Sequence, residues 1–275
     1  MPSGEHRVDR YGADVLAGMI LAGPYVRMAC ELQQRDRVRA AADPTWYQFD
    51  AARADHILSF IEECLRLPDV TDSLGEPCAF LCQPWQAFII GSLFGWVDAQ
   101  GWRRFREGYI EAGKGCGKTP MVAAIGLYGL MMDGERAGQI YAAAADQEQA
   151  SILFKDAVQI AKSSPEVVTD LQFDGGVHIW QIRHPASMSV FRTFSRESGQ
   201  KSGTRPHMGL LDELHEHPSH EASVKIRAGA KRRPQPMFLE ITNAGFDRTS
   251  ICWQRHEHAR RVVERVVDDE QLFAY

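Results

Sequence analysis

The 275-residue sequence has little of several features that would place it in a special class of protein. Its six cysteines include no C-x-x-C pair, which argues against a disulfide framework and for reduced thiols. The longest apolar run, around Phe88 to Val97, is too short to span a bilayer, and no apolar signal segment opens the chain. A formal net charge of −5 gives no global basic signature, so any contact with nucleic acid must come from a local patch. The rest is the composition of an ordinary soluble globular protein, with 44% hydrophobic and 24% charged residues.

A glycine-rich stretch at residues 111–119, EAGKGCGKT, separates a segment of strand character from a helix. The strand covers residues 106–110, and the small and apolar residues 121–132 form the helix. In a strand–loop–helix unit of this kind, the loop turns its backbone N–H groups toward phosphate, and the helix dipole adds to the attraction. We therefore expect a phosphate cradle built by Gly113, Lys114, Gly115, Cys116 and Gly117.

The two residues that end this loop carry the side chains that phosphate chemistry needs. Lys118 would reach the β- and γ-phosphates of ATP, and the Thr119 hydroxyl would ligate Mg²⁺. The usual pattern, G-x-x-x-x-G-K-[ST], has glycine at the position that Ala112 occupies. A glycine-rich turn with a surface lysine is therefore the alternative interpretation.

The order of predicted elements divides the chain near residue 105. Residues 1–104 look like a helical region, with helical spacing over 13–35 (interrupted at Gly23-Pro24), 50–66 and 87–96. Residues 105–275 alternate between strands (106–111, 139–144, 208–211 and 237–242) and helices (119–132, 147–161, 220–231 and 250–267), with a hairpin at 177–194. Such alternation predicts an α/β fold with a mostly parallel sheet covered on both faces.

Two consecutive carboxylates, Asp212 and Glu213, follow the apolar strand at residues 208–211. The carboxyl ends of parallel strands are where open α/β sheets bind ligands. Asp212 would hold Mg²⁺ through water, and Glu213 would polarise the water that attacks the γ-phosphate. An ordinary boundary between a strand and a loop is the alternative for this pair.

Two further segments carry polar side chains suited to a nucleotide. The strand at residues 237–242 ends in Thr242 and Asn243, which would sense the γ-phosphate, although a strand followed by a polar turn explains them equally well. Gln86, after an aromatic residue, has an amide that would read the adenine edge. A helix start with Trp85 in the core is the alternative there.

Two clusters close to Glu213 allow other interpretations. His215, His217 and His220 suggest a zinc site, but their spacing is not that of helical i, i+4 ligands. A basic cluster would contact the DNA backbone or form a solvated face; it consists of Lys225, Arg227, Lys231, Arg232 and Arg233.

Together these motifs resemble those of the large subunit of tailed-phage terminase, the genome-packaging ATPase, over nearly the whole chain. Residues 84–86 are similar to its adenine-binding motif, 112–119 to its Walker A loop, 210–215 to its Walker B motif and 241–245 to its coupling motif. Lys114 stands where the family usually has arginine, which keeps the charge and loses the planar fork. Asn243 replaces the second threonine of the usual Thr-Thr-Ala-Gly.

This resemblance implies a P-loop NTPase fold of the RecA/ASCE type that hydrolyses ATP with Mg²⁺ to drive double-stranded DNA into a procapsid. It implies the portal protein and the terminase small subunit as partners, with a homo-oligomeric ring on the procapsid or a monomer in isolation. The place of action would be the cytoplasm of an infected bacterial host, with no membrane partner. Family members continue into a nuclease domain with clustered aspartates. We expect that domain to begin near Tyr275, so this chain would carry the ATPase half and would not cut DNA.

Two rival functions remain open at this stage. A helicase-like ATPase of repair or restriction would need a second RecA-like domain, for which the chain has no room. A nucleotide-dependent assembly protein with little turnover would bind ATP through the same motifs.

An arginine supplied by a neighbouring subunit is expected in a ring motor of this family. The candidates are Arg192, which lies within a predicted strand, and Arg196 and Arg205, which flank a polar loop. Arg205 is favoured because Pro206 stiffens the chain beside it. Ordinary salt bridges or contacts with DNA phosphates are the alternative for these side chains.

Overall fold

The computed structural model describes residues 6–143, 147–194, 205–217, 219–245 and 247–275, with only the backbone described at 147–151 and 222. The helices in these ranges are α1 (Arg7–Leu16), α2 (Pro24–Ala42), α3 (Ala51–Cys64), α4 (Pro84–Gly95), α5 (Lys118–Met131), α6 (Gln147–Lys162), α7 (Pro165–Val168), α8 (Glu221–Gly229) and α9 (Ile251–Val263). None of these described helices is long and apolar enough to cross a membrane.

The strands within the same ranges are β1 (Gln48–Phe49), β2 (Arg66–Thr71), β3 (Pro77–Ala79), β4 (Trp96–Val97), β5 (Glu107–Glu111), β6 (Gln139–Ala143), β7 (Gln172–Asp174), β8 (Gln181–His184), β9 (Ser189–Thr193), β10 (Pro206–Leu211), β11 (Met237–Thr242) and β12 (Leu272–Ala274). Eight of them form one sheet in the order β12-β5-β11-β10-β6-β9-β8-β7. Its β10–β11, β6–β10, β6–β9 and β5–β12 pairs are parallel. The α/β fold with a mostly parallel sheet is therefore confirmed.

The chain divides into two compact units, and the first consists of Met1–Leu58, Cys82–Tyr109 and Arg255–Tyr275. Its helices bury the large side chains of Phe88 and Trp96, and the Trp96 indole N–H donates to Gln33 Oε1 at 2.8 Å. Antiparallel β1 and β4 also belong to this unit. Sequence spacing alone missed these two-residue strands, which are too short to show a period of two.

The second unit consists of Ser59–Leu81 and Ile110–Gln254, and it contains the centre of the large sheet. Helix α5 lies unusually close to this sheet because it carries glycine where a side chain would collide. A Cβ at Gly126 would lie 2.7 Å from Phe191, and one at Gly129 would lie 2.4 Å from Met208. This close approach holds the second half of α5 against the sheet.

The observed elements differ from the predicted ones mainly at their ends. The helical spacing read over 13–35 belongs to two helices, because the chain leaves the helix after Leu16 and starts a new one at Pro24, where proline fits the first turn. The helix read at 87–96 begins at Pro84 for the same reason. The hairpin around Pro185 is present as antiparallel β8 and β9, with β7 added at its edge. The domain boundary near residue 105 stays a prediction.

Candidate functional site

The glycine-rich loop connects β5 to α5 and needs glycine at two of its positions. Gly115 and Gly117 have φ angles of 78° and 88°, in the left-handed region that other residues avoid. Residues 113–116 are exposed, so the loop lies open to a ligand. Their backbone and the N-terminus of α5 together form the kind of surface that binds phosphate.

Lys118 is only 4% exposed although its side chain carries a charge. Its Nζ donates to Asn243 Oδ1 at 2.6 Å and lies 3.7 Å from Glu213 Oε1. A neutral amide and one loosely placed carboxylate compensate a buried ammonium less well than a direct ion pair does. Lys118 therefore still favours an additional anionic partner, and the phosphates of a nucleotide would supply it.

Thr119 and Asp212 come together from the start of α5 and the end of β10. The Thr119 hydroxyl hydrogen-bonds the Asp212 carboxylate, which is 4% exposed. Burial, and then the charge of Glu213, raise the pKa of Asp212 to about 6, against the lowering effects of the Glu213 N–H, Thr119 and Lys118. A desolvated carboxylate beside a hydroxyl is an oxygen donor set that suits Mg²⁺, so the predicted metal ligands fit that ion.

Glu213 leaves the strand direction through an uncommon backbone conformation. Its φ of 48° lies in the left-handed region, which costs a non-glycine residue about 1–2 kcal/mol. The turn aims the carboxylate toward Lys118 and Asn243, whose Nδ2 donates to Glu213 Oε2 at 3.3 Å. The side chain keeps 29% of its surface exposed, so a water molecule can approach it.

The end of β11 contacts both the glycine-rich loop and its lysine. The Ala112 N–H donates to the Thr242 carbonyl at 3.1 Å, and Asn243 accepts from Lys118 as described above. Thr242 is fully buried, and its hydroxyl donates to the Asn243 carbonyl at 2.9 Å. The two residues predicted to sense the γ-phosphate thus lie directly against the residues predicted to bind it.

Gln86, the residue predicted to contact adenine, lies in the first turn of α4 and is 4% exposed. Its Oε1 accepts from the Gln83 N–H at 2.9 Å as part of a capping box, an arrangement that stabilises the helix start. The helix start is the part of the alternative that the structure shows, whereas Trp85 is half-buried rather than in the core. The adenine contact stays a prediction.

The three candidate arginines have different surroundings. Arg192 lies in β9, where it donates to the Tyr141 hydroxyl at 2.9 Å. Arg196 lies outside the described residues. Arg205 is exposed immediately before β10, with its N–H bonded to Gln139 Oε1 at 2.8 Å and its carbonyl accepting from Arg233 Nε at 3.1 Å. Its backbone is therefore fixed from both sides while its side chain faces solvent.

The histidines near Glu213 point to different partners. His217 is buried, which lowers its pKa, and its Nε2–H donates to the Asp212 carbonyl at 3.0 Å. His220 contacts Gln254, and His215 contacts Glu213 and Thr242. The described residues contain no group of three or more His, Cys, Asp or Glu side chains placed to hold a metal ion. Sequence reasoning missed the place of His215 at the site, because its position follows from the left-handed turn at Glu213.

The basic cluster is largely engaged within the chain. Arg227 pairs with buried Glu240 at 2.9 Å, Arg233 pairs with Glu135, and Lys225 pairs with Glu221 at 2.6 Å. The remaining members, Lys231 and Arg232, are exposed. Any contact between this cluster and DNA would therefore rest mainly on those two side chains.

Comparison with known proteins identifies a family and similar folds. Residues 84–261 match the family described as "Terminase large subunit, ATPase domain". The large terminase of bacteriophage HK97 has a similar fold at 18% sequence identity, with a TM-score of 0.66 over 81% of this chain and 43% of that one. The large terminase of a thermophilic bacteriophage, solved in complex with ADP, is a looser match at 13% identity, with a TM-score of 0.47 over 62% of this chain and 40% of that one.

A curated relative covers a smaller part of the sequence. Protein YmfN of Escherichia coli (strain K12) is 28% identical over 74 residues, which are 27% of this chain and 16% of that protein. The chain therefore spans less than half the length of each of these three relatives.

Proposed function

The chain belongs to the family of terminase large subunits, matching its ATPase domain over 178 residues from 84 to 261, and we propose that it hydrolyses ATP to drive double-stranded DNA into a phage procapsid. The family assignment disfavours the alternative of a helicase-like ATPase of repair or restriction. The observation that carries the proposal is the convergence of Lys118, Thr119, Asp212 and Glu213 at the carboxyl edge of one sheet.

The chemistry follows from what each side chain does at this edge. The loop N–H groups and Lys118 hold the phosphates, and Thr119 and Asp212 would hold Mg²⁺, which neutralises phosphate charge when bound. Glu213 accepts a proton from a water molecule whose oxygen attacks the γ-phosphorus. The bond between that phosphorus and the β,γ-bridging oxygen breaks, and ADP and phosphate leave. Positioning and charge stabilisation supply most of the acceleration in such reactions.

The contacts of Lys118 would also allow the site to respond to the presence or loss of phosphate. When phosphates occupy the loop, Lys118 would turn to them and release Asn243. After phosphate leaves, the 2.6 Å hydrogen bond between Lys118 and Asn243 would form again. Thr242 ends β11, and Asn243 directly follows it. The change of partner by Lys118 would therefore pass the state of the nucleotide to this strand.

We further propose that Arg205 acts on the nucleotide of a neighbouring subunit in a ring. Arg205 precedes β10 and Asp212 follows it, so the six residues of that strand, roughly 20 Å, separate the two ends. An arginine side chain cannot cross that distance to its own site. In GTPases, an arginine supplied in trans raises the rate of hydrolysis by about 10³–10⁵-fold. ATP hydrolysis would therefore depend on assembly of the ring.

The test of this arginine mixes two inactive subunits. Arg205→Ala subunits combined with Glu213→Gln subunits should recover part of the activity, because an intact arginine then meets an intact site. Arg53→Ala, at an exposed arginine with no proposed role in binding, is the control and should remain active alone. No recovery in verified mixed rings, or full activity of Arg205→Ala by itself, would exclude Arg205.

The remaining partners follow from the family rather than from contacts in the chain. We propose DNA, the portal protein and the terminase small subunit as partners, and the cytoplasm of an infected bacterium as the place of action. The prediction that this chain does not cut DNA is tested by incubation with plasmid and Mn²⁺, after which the plasmid should be intact.

Steady-state phosphate release tests ATP hydrolysis itself. Lys118→Ala should lose nucleotide binding and turnover together, by about 10²–10³-fold in turnover. Glu213→Gln should still bind ATP and lose turnover by about 10²–10⁴-fold, because it removes only the base. Glu221→Gln, at an exposed glutamate, is the matched control and should behave as wild type. Normal turnover in Glu213→Gln would exclude Glu213 as the base.

A further inference from the structure

The ring of His215 lies between two residues of the proposed site. Its Nδ1 is 3.3 Å from Glu213 Oε2 and 3.1 Å from Thr242 Oγ1. The His215 backbone N–H also donates to Thr242 Oγ1, at 3.2 Å. His215 belongs to a 3₁₀ turn that directly follows the left-handed residue Glu213, and this turn brings the ring back over the carboxylate.

The hydrogen bonds around His215 favour one position for the proton on its ring. The single Thr242 hydroxyl proton goes to the Asn243 carbonyl at 2.9 Å, which leaves Oγ1 as an acceptor. Glu213 Oε2 is an acceptor as well when it is ionised. Nδ1 faces these two acceptors, so the network favours the form of His215 that carries a proton on Nδ1.

The two oxygens of Glu213 consequently have different surroundings. Oε2 receives a hydrogen bond from Asn243 Nδ2, at 3.3 Å, and lies within ion-pair distance of His215 Nδ1, also at 3.3 Å. Oε1 faces Lys118 Nζ at 3.7 Å. Once Lys118 turns toward phosphate, Oε1 becomes available to a water molecule while Oε2 stays held.

A histidine in a turn is often an ordinary surface residue. His215 is instead packed against another segment of the chain. Its side chain is 20% exposed, and a Cβ added at Gly245 would lie 3.5 Å from its own Cβ. The segment that follows β11 therefore packs against it. Neighbouring His217 and His220 face Asp212 and Gln254 instead, so the contact with Glu213 is specific to His215 among these three.

We propose that His215 is a positioning residue for hydrolysis: its Nδ1–H, hydrogen-bonded to Thr242 Oγ1, attracts Glu213 Oε2 at 3.3 Å so that Oε1 faces the attacking water. Through its second contact it links the catalytic carboxylate to Thr242. This inference rests on the proposed ATPase function. It predicts that loss of the ring slows turnover without weakening nucleotide binding.

The direct test compares His215→Ala with His215→Asn. His215→Ala should lower kcat by roughly 3- to 10-fold, the size expected for one ordinary polar contact, while the Kd for a fluorescent ATP analogue stays within twofold. The side-chain amide of His215→Asn can donate from a similar place and should restore part of kcat. His220→Ala is the matched control and should leave both quantities unchanged.

A double-mutant cycle separates positioning from a general structural role. In the Glu213→Gln background, His215→Ala should cause little further loss, because it acts through the carboxylate. An equal loss in both backgrounds, a parallel rise in Kd, or unchanged kcat in folded His215→Ala would overturn the proposal. If the wild type itself shows no turnover, the proposed function fails instead, and that result is distinct from these three.

Discussion

Two buried cations, Arg104 in the first unit and Lys118 in the second, differ in the number and distance of the groups that compensate their charge. Arg104 is 7% exposed and Lys118 is 4% exposed. Arg104 contacts the carboxylates of Asp36 at 2.6 Å and Glu270 at 2.9 Å, and it donates to the Glu270 carbonyl at 3.0 Å. Lys118 has a neutral amide and one carboxylate at 3.7 Å.

Aromatic rings complete the difference between the two sites. The Arg104 guanidinium lies 4.6 Å from the ring centroids of both Trp46 and Phe105, at the distance of a cation–π contact. Two carboxylates and two aromatic rings thus lie around the charge of Arg104, an environment that suits a cation that stabilises the fold. The carboxylates around Lys118 are more loosely placed, with Glu213 at 3.7 Å and Asp212 interacting through its charge, so the ammonium can also bind phosphate.

Removing Arg104 should have the largest effect on stability. Arg104→Ala leaves buried Asp36 without its direct ion-pair partner and Glu270 with Arg39 alone, and we expect the free energy of unfolding to fall by about 3–5 kcal/mol. Chemical denaturation measures this quantity. Arg53→Ala, at an arginine whose side chain is 47% exposed, is the control and should change it by less than about 1 kcal/mol. Equal losses in the two variants would contradict the role given to Arg104.

An intermediate effect is expected from Asp212, whose folded-state pKa is raised to about 6. The folded protein binds this proton more tightly than the unfolded chain, so ionised Asp212 destabilises the fold above pH 6, and that cost disappears as pH falls toward 4. Without nucleotide or Mg²⁺, Asp212→Asn should therefore unfold at higher denaturant than wild type at pH 8.

The expected gain for Asp212→Asn is at most about 3 kcal/mol, since one pKa unit corresponds to about 1.4 kcal/mol. It should be much smaller at pH 4.5. Asp170→Asn, at an exposed aspartate, should show no such dependence. A gain that is the same at both pH values would show that the charge of Asp212 is not its cause.

The smallest effect should come from Lys114, the exposed cation of the loop. Lys114→Arg restores the planar group that the family usually has there, and it should change stability by less than about 0.5 kcal/mol, as surface substitutions do. Titration with a fluorescent ATP analogue should show affinity equal to or a few-fold above wild type. Weaker binding would indicate that the loop needs the flexible lysine.

Local signals made most of the second unit predictable. The P-loop, Asp212 and Glu213 follow from short motifs, because the chemistry at each position needs one residue type beside a strand end. The environment of Arg104 had no such signal, since Asp36 and Glu270 lie 68 and 166 residues away from it in the sequence. The same holds for β12, a three-residue strand that depends on pairing with distant β5.

The rest of the candidate site could not be predicted from the sequence, because it depends on backbone geometry. The left-handed conformation of Glu213 is uncommon for glutamate, and the residue types in this segment do not predict it. That one turn decides where His215 lies, so a sequence pattern that suggested zinc ligands could not reveal a partner of Glu213. Arg227 and Arg233 likewise look like solvated surface charges in the sequence until Glu240 and Glu135 are placed beside them.

Thermal unfolding of wild type and Lys118→Met, each with and without Mg²⁺ and a slowly hydrolysed ATP analogue, tests the contrast between the two cations most directly. At 100 times the Kd, the nucleotide should stabilise wild type by about 2.7 kcal/mol, a shift of a few degrees in Tm. Lys118→Met should unfold without nucleotide at a Tm no lower than wild type and should show no shift. A Lys118→Met protein that is several degrees less stable and still shifts with nucleotide would contradict the account.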